Sequence, residues 1–141
     1  MPDRADDPIF RFLLERFMML RAAEVGATEA AAFDVDLQAP TRSRLVLHVR
    51  PDQSSPDVRA AAVAAFLELI APCVVQSTDG AIEVGDPDGK GEPQFCLITL
   101  LYVDGSPSLA IGYITRASSD VHAKALLGVL RRGGPGAADE V

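Results

Sequence analysis

The stretch Gln94–Arg116, QFCLITLLYVDGSPSLAIGYITR, decides the fold. Its two apolar runs, FCLITLLYV and LAIGYIT, flank the turn Asp104-Gly105-Ser106-Pro107, a combination that predicts a β-hairpin. Alternation places Phe95, Leu97, Thr99, Leu101 and Val103 on one face of the first strand and Cys96, Ile98, Leu100 and Tyr102 on the other. With apolar groups on both faces, that strand is expected to be central in a sheet covered on both sides. In the second strand Leu109, Ile111 and Tyr113 point one way, while Ala110 and Gly112 leave a strip of small residues on the other. A helix or a ligand can approach the backbone closely along such a strip.

On the C-terminal side, Ser118 or Ser119 caps a last helix that has Asp120 in its first turn and Arg131 and Arg132 in its last, ended by Gly133-Gly134. Residues 133–141 are small and acidic, and a disordered tail is expected there. On the N-terminal side, GDPDGKGEP (85–93) reads as a mobile loop. Ala81–Val84 and Cys73–Ser77 read as short strands separated by a turn at Thr78-Asp79-Gly80. A helix is expected before them from about Pro56 to Ala71, with Ser55 as N-cap, Pro56 in the first helical position and Asp57 at the positive end of the dipole. Val58, Ala62, Ala65, Phe66 and Leu69 form its expected buried stripe, and Pro72 its expected end.

Further back, Ser43–Arg50 alternates as a strand, with Leu45, Leu47 and Val49 on a core face and Arg44, Val46, His48 and Arg50 on a basic one. Thr28–Leu37 alternates more weakly, with Ala31, Phe33, Val35 and Leu37 together. Gly26 ends a first helix that begins at Pro8, behind a frayed leader of residues 1–7. In that helix Ile9, Phe10, Leu13, Leu14, Phe17 and Leu20 form a broad stripe suited to packing on a sheet. Phe12, Met19 and Ala23 fall on a different side. This second apolar strip reads either as a subunit interface or as a surface covered by the C-terminal helix of the same chain.

The chain has 141 residues, room for one domain (8–132) and one core. Its 48% apolar and 23% charged residues are those of a globular protein. No apolar run approaches the roughly 20 residues that span a bilayer, and MPDRADDP is too acidic to start a secretory signal, so a cytoplasmic location is expected. A net charge of −7 argues against nucleic acid as a partner, because phosphate binding is driven by clustered Lys and Arg. Cys73 and Cys96 lie in apolar runs without CxxC spacing and read as buried hydrophobes rather than as a disulfide or metal site.

Together these elements predict an α+β protein: a central antiparallel sheet of about five or six strands with the terminal helices on one face. The order resembles that of a GAF domain, a sensory module related to PAS domains. The segments that carry the resemblance are LVLHVRPD, the helix ending in APCVVQSTD, the loop at 85–93, and LLYVDGSPSLAIGYITRA followed by a helix. Residues 9–131 are covered at the level of pattern. The resemblance implies a pocket opposite the terminal helices, under the middle helix and the 85–93 loop. The second resemblance is to the roadblock family, whose order of helix, two strands, helix, three strands, helix is almost the same; the longer connection within Phe33–Arg50 and the loop at 85–93 favour GAF. Both families imply a regulatory binding module rather than an enzyme.

The residues themselves point the same way. No GxSxG or similar motif accompanies Cys73, Cys96, His48 or His122, so no catalytic residue is assigned. Stand-alone GAF proteins that reduce free methionine sulfoxide carry their cysteines in loops, whereas both cysteines here read as strand-borne. Asp86, Asp88 and Glu92 are too few, and Lys90 too close, for a Ca²⁺ loop, and GDPDGKG lacks the GK[ST] of a phosphate loop. No metal or cofactor is expected. Arg44, His48 and Arg50, on one strand face, are candidates for an anionic ligand, although an edge strand commonly shows such residues to water. Ala110 and Gly112 complete the candidate ligand site, and Phe12, Met19 and Ala23 the candidate dimer interface. The expected partners are a second copy, a separate signalling protein or a small molecule; a membrane and nucleic acid are not expected.

Overall fold

The computed structural model describes residues 7–50, 56–84 and 93–132, and of 56–62 the backbone. The leader up to Arg4-Ala5-Asp6, the Ser55 cap, the acidic positions of the 85–92 loop and the 133–141 tail fall outside the described residues.

The hairpin forms as its sequence requires. β4 (Gln94–Val103) and β5 (Ser106–Arg116) pair antiparallel, with Val103 opposite Ser106. Asp104 (φ 53°) and Gly105 (φ 81°) make the two-residue turn, both left-handed, which matches the twist of the strands it joins. Between Leu101 and Tyr102 the register slips by one residue opposite Ser108, so Pro107 enters the strand beside a bulge, where a missing N–H is tolerated.

Three more strands complete one antiparallel sheet in the order β2-β1-β5-β4-β3, formed by β1 (Ala27–Asp34), β2 (Arg44–Val49) and β3 (Gly80–Val84). The helices are α1 (Pro8–Val25), α2 (Pro56–Gln76) and α3 (Asp120–Arg132). α1 and α3 share one face, where Leu14, Met18, Ala22, Val25, Ala123, Leu127 and Leu130 pack on Phe95, Leu97, Leu109, Ile111 and Tyr113. α2 covers the other, where Phe66, Ile70, Cys73 and Val74 meet Ala31, Phe33, Cys96, Ile98, Leu100 and Ala110. The α+β class and the common face of the terminal helices are therefore as expected. The full order is helix, two strands, helix, three strands, helix.

Several local expectations are corrected. Cys73–Ser77 is not a strand, because α2 runs through Pro72 to Gln76. Proline inside a helix removes a hydrogen bond and costs about 3 kcal/mol. Burial of Cys73 and Val74 beyond it, at roughly 1.5–3 kcal/mol for a full-sized apolar side chain, offsets that cost. The helix then ends in a Schellman turn: Ser77 is left-handed (φ 54°), its N–H donates to Val74 O and the Thr78 N–H donates to Cys73 O, both at 3.1 Å. The extension moves the buried stripe to Phe66, Ile70, Cys73 and Val74, and leaves Ala65 exposed. The expected Val58 and Ala62 side chains lie outside the described ones.

α1 is also rotated from its expected setting. Asp7 caps it by accepting from the Ile9 N–H at 3.0 Å, and Gly26 (φ 65°) ends it one residue before β1. That short link fixes Val25 against the sheet, where the buried Thr115 hydroxyl donates to Val25 O at 2.8 Å. The face turned inward is therefore the one shared with Val25, namely Leu14, Met18 and Ala22. Ile9, Leu13 and Leu20, expected on the sheet, face outward instead.

Candidate functional site

The outward face of α1 is apolar over nearly its whole length. Ile9 is 70% exposed, Phe12 57%, Leu13 60%, Met19 41% and Leu20 64%, and Ala23 is exposed beside them. At 100° per residue they fall within an arc of roughly 120°, as wide as the stripe by which a surface helix ordinarily packs on a core. Arg16 is the one charge inside this arc, and its guanidinium carbon stands 5.5 Å from the centroid of the Phe12 ring. The three expected interface residues thus share one surface with three residues expected in the core. α3 does not cover them: its Ala123, Leu127 and Leu130 enter the core on the inner side, and Phe12 and Met19 stay open.

The basic group on β2 is divided. One extra residue, Val46, stands where Ala32 pairs with Leu47 and Phe33 with Leu45. A bulge of one residue reverses the phase of alternation, so Leu47 packs on the α1 side and Leu45 on the α2 side. Leu45 and Leu47 are thus not on a common face. Arg44 consequently leaves the face of His48 and meets Asp34 at 3.5 Å across the strand pair. His48 and Arg50 remain together, gathered around Glu29 of β1. His48 Nε2 lies 2.8 Å from Glu29 Oε1, with side chains 4% and 14% exposed, and Arg50 Nη1 is 4.0 Å from the same oxygen. Glu29 supplies the negative charge that an anionic ligand would bring. Sequence reasoning passed over Glu29, which sits 19 residues before His48 and becomes its neighbour only through the β1–β2 pairing.

Ala110 and Gly112 lie where the alternation puts them, facing α2. Of the two groups that such a strip admits, a helix is the one that approaches. A Cβ on Gly112 would stand 3.2 Å from Phe66 Cδ1 and 3.3 Å from the Cys96 sulfur. Phe66 is tilted by 60° against Phe33 with centroids 6.5 Å apart, so aromatic and aliphatic side chains fill the layer in front of the strip.

Cys73 and Cys96 are both free and buried, Cys73 on a helix rather than a strand. Burial pushes both thiols up, Cys96 far up; the Asp79 carboxylate raises Cys73 further, and the neighbouring Cys73 raises Cys96 further. Such thiols are poor nucleophiles. His122 is exposed as expected and lies 3.2 Å from the Ser118 hydroxyl through Nδ1. A second polar junction was not foreseen: Asp79 accepts from the Leu100 N–H at 2.8 Å through one oxygen and from Arg131 Nε at 3.1 Å through the other. It joins the end of α3 to β4 just where β3 begins. Among the described residues no three His, Cys, Asp or Glu side chains are grouped to hold a metal, and no helix is long and apolar enough to cross a membrane.

No protein-family model matches the chain, and no curated protein matches it. Among solved structures it is similar to the crystal structure of a sensory box histidine kinase/response regulator from Burkholderia thailandensis, at 18% identity and a TM-score of 0.32, over 82% of this chain and 95% of that one. A likeness at that level assigns neither a family nor a function.

Proposed function

We propose that this chain is a non-catalytic regulatory module that acts by protein contact, and that the outward face of α1 is where it joins a second copy of itself. The observation that carries the reading is the strip from Ile9 to Ala23, with five large apolar side chains open to water on one helix. A contiguous patch of this kind marks an interaction surface more often than it marks chance exposure. A few well-placed large side chains usually supply most of the binding energy of an interface. The dimer would in turn present its remaining surface to a separate signalling protein.

The raised thiols of Cys73 and Cys96 and the pairing of His48 with Glu29 support a role without catalysis. A small-molecule sensor draws no support from the Ala110/Gly112 strip, which Phe66 occupies. The five-stranded antiparallel sheet with three helices is consistent with a GAF/PAS-like fold. Sedimentation equilibrium of the unmodified chain tests the reading. A dimer at micromolar concentration that Phe12→Asp with Met19→Asp converts to folded monomer is the expected result. A monomer throughout would defeat it.

A further inference from the structure

The strip has an internal symmetry. Its exposed apolar positions come in pairs equally spaced about Arg16: Leu13 and Met19 three residues away, Phe12 and Leu20 four, Ile9 and Ala23 seven. The spacing is that of a heptad seam, and it reads the same from either end. We infer that the second copy docks with its α1 antiparallel to the first and with the two-fold axis at Arg16, an inference that rests on the dimer proposed above.

In this register Phe12 meets the partner's Leu20, Leu13 meets the partner's Met19, and Ile9 fills the space left by the partner's Ala23. Every residue of the strip is used, over a length of about 21 Å. A parallel pairing would instead set Phe12 against the partner's Phe12 and leave two alanines facing each other at Ala23. It would also hold the two Arg16 charges side by side, leaning the same way. Helical side chains lean toward their own N-terminus, and Arg16 does so, toward Phe12. In the antiparallel register that lean carries the two guanidinium groups one turn to either side of the axis, about 11 Å apart, each over an aromatic ring of its own chain. The helix dipoles also oppose one another favourably. The placement of the single charge thus discriminates between the two orientations.

Cysteine cross-linking tests the register. A disulfide needs Cα atoms within about 7 Å of each other. Under mild oxidation, Arg16→Cys is expected to cross-link to itself. Ile9→Cys alone and Ala23→Cys alone, each about 21 Å from its own copy, are expected not to do so. A mixture of the two is expected to give at least ten times more cross-linked dimer than either alone. The unmodified chain, with Cys73 and Cys96 buried, serves as the blank. Self-cross-linking of Ile9→Cys would overturn the antiparallel register in favour of the parallel one. A dimer by sedimentation with no cross-link at any of these positions would place the interface elsewhere and overturn it too. A monomer by sedimentation would remove the dimer itself. If that monomer also cosediments with phosphatidylglycerol–phosphatidylcholine vesicles, the strip belongs to a lipid surface.

Discussion

Phe66 rests on Gly112 so closely that a single methyl group between them would force a shift, since its carbon would lie 3.2 Å from the ring and 3.3 Å from the Cys96 sulfur. Gly112 stands in β5, at the centre of the sheet, so its backbone is held on both sides by Ala31 and Ile98 and cannot retreat. Gly112→Ala is therefore expected to destabilise the fold by about 1–3 kcal/mol, the usual range for overpacking. In a Phe66→Leu background, which removes the ring, the same substitution is expected to cost less, because contacting positions are not additive. Urea unfolding of the four proteins in the cycle measures the difference. Equal costs in both backgrounds would show that Phe66 does not set the limit.

Asp79 is expected to matter more than the arginine it holds. Its Oδ1 accepts the Leu100 N–H at 2.8 Å, beside the first residue pair of β3, and so continues the ladder by one bond beyond the strand. Asp79→Ala removes the acceptor of that half-buried bond and is expected to cost about 1–3 kcal/mol. Arg131→Gln removes a partner whose side chain is half exposed, and the loss is expected to stay below about 1 kcal/mol. Equal losses in denaturant titrations would assign the stability to the ion pair instead.

Alkaline pH is expected to weaken the protein through two buried groups, Cys96 and Tyr113. Burial raises the Cys96 thiol from its ordinary 9.0 and the Tyr113 hydroxyl from its ordinary 10.0. Once unfolded, both groups lose their protons near those ordinary values, while the folded state keeps them. The unfolded state then binds fewer protons, and stability falls with rising pH. The contribution is whole below pH 9 and is lost progressively above it. Chemical denaturation at a series of pH values from 7 to 10.5 checks this, and Cys96→Ala is expected to flatten the slope whatever it does to the stability at pH 7.

The parts of this fold that were legible in the sequence are those specified by local chemistry. Asp104-Gly105 between two alternating runs leaves few alternatives to a hairpin, and Pro8 and Gly26 bracket α1 correctly. The failures share one cause, which is that tertiary contact chose among local options of similar merit. α1 carries apolar residues on almost every side, so its sequence cannot say which side packs; the one-residue link at Gly26 and the hold of Thr115 on Val25 decide it. Pro72 is a sound stop signal overridden by the burial of Cys73 and Val74. The bulge at Val46 involves no glycine or proline, and without a signal the alternation of β2 runs on past the point where it reverses. Arg44 leaves the candidate ligand group for that reason, while His48 and Arg50 stay together around Glu29; the interface residues, which needed only a helix, are presented together.

Met18 and Met19 put the rotation of α1 to a direct test. They are adjacent and chemically identical, and neither belongs to the stripe that the sequence sets against the sheet. Met18 is wholly buried against the sheet, while Met19 is 41% exposed on the outward strip. Met18→Asp would bury a carboxylate in the apolar layer between α1 and the sheet, at a cost of several kcal/mol, comparable with the whole stability of a small domain. That variant is expected to be unfolded or to lose its cooperative thermal transition. Met19→Asp places the same charge in water, and its melting curve at concentrations where the chain is monomeric is expected to shift by no more than a few degrees. Circular dichroism melts in which Met19→Asp loses the transition and Met18→Asp keeps it would overturn the observed setting of α1.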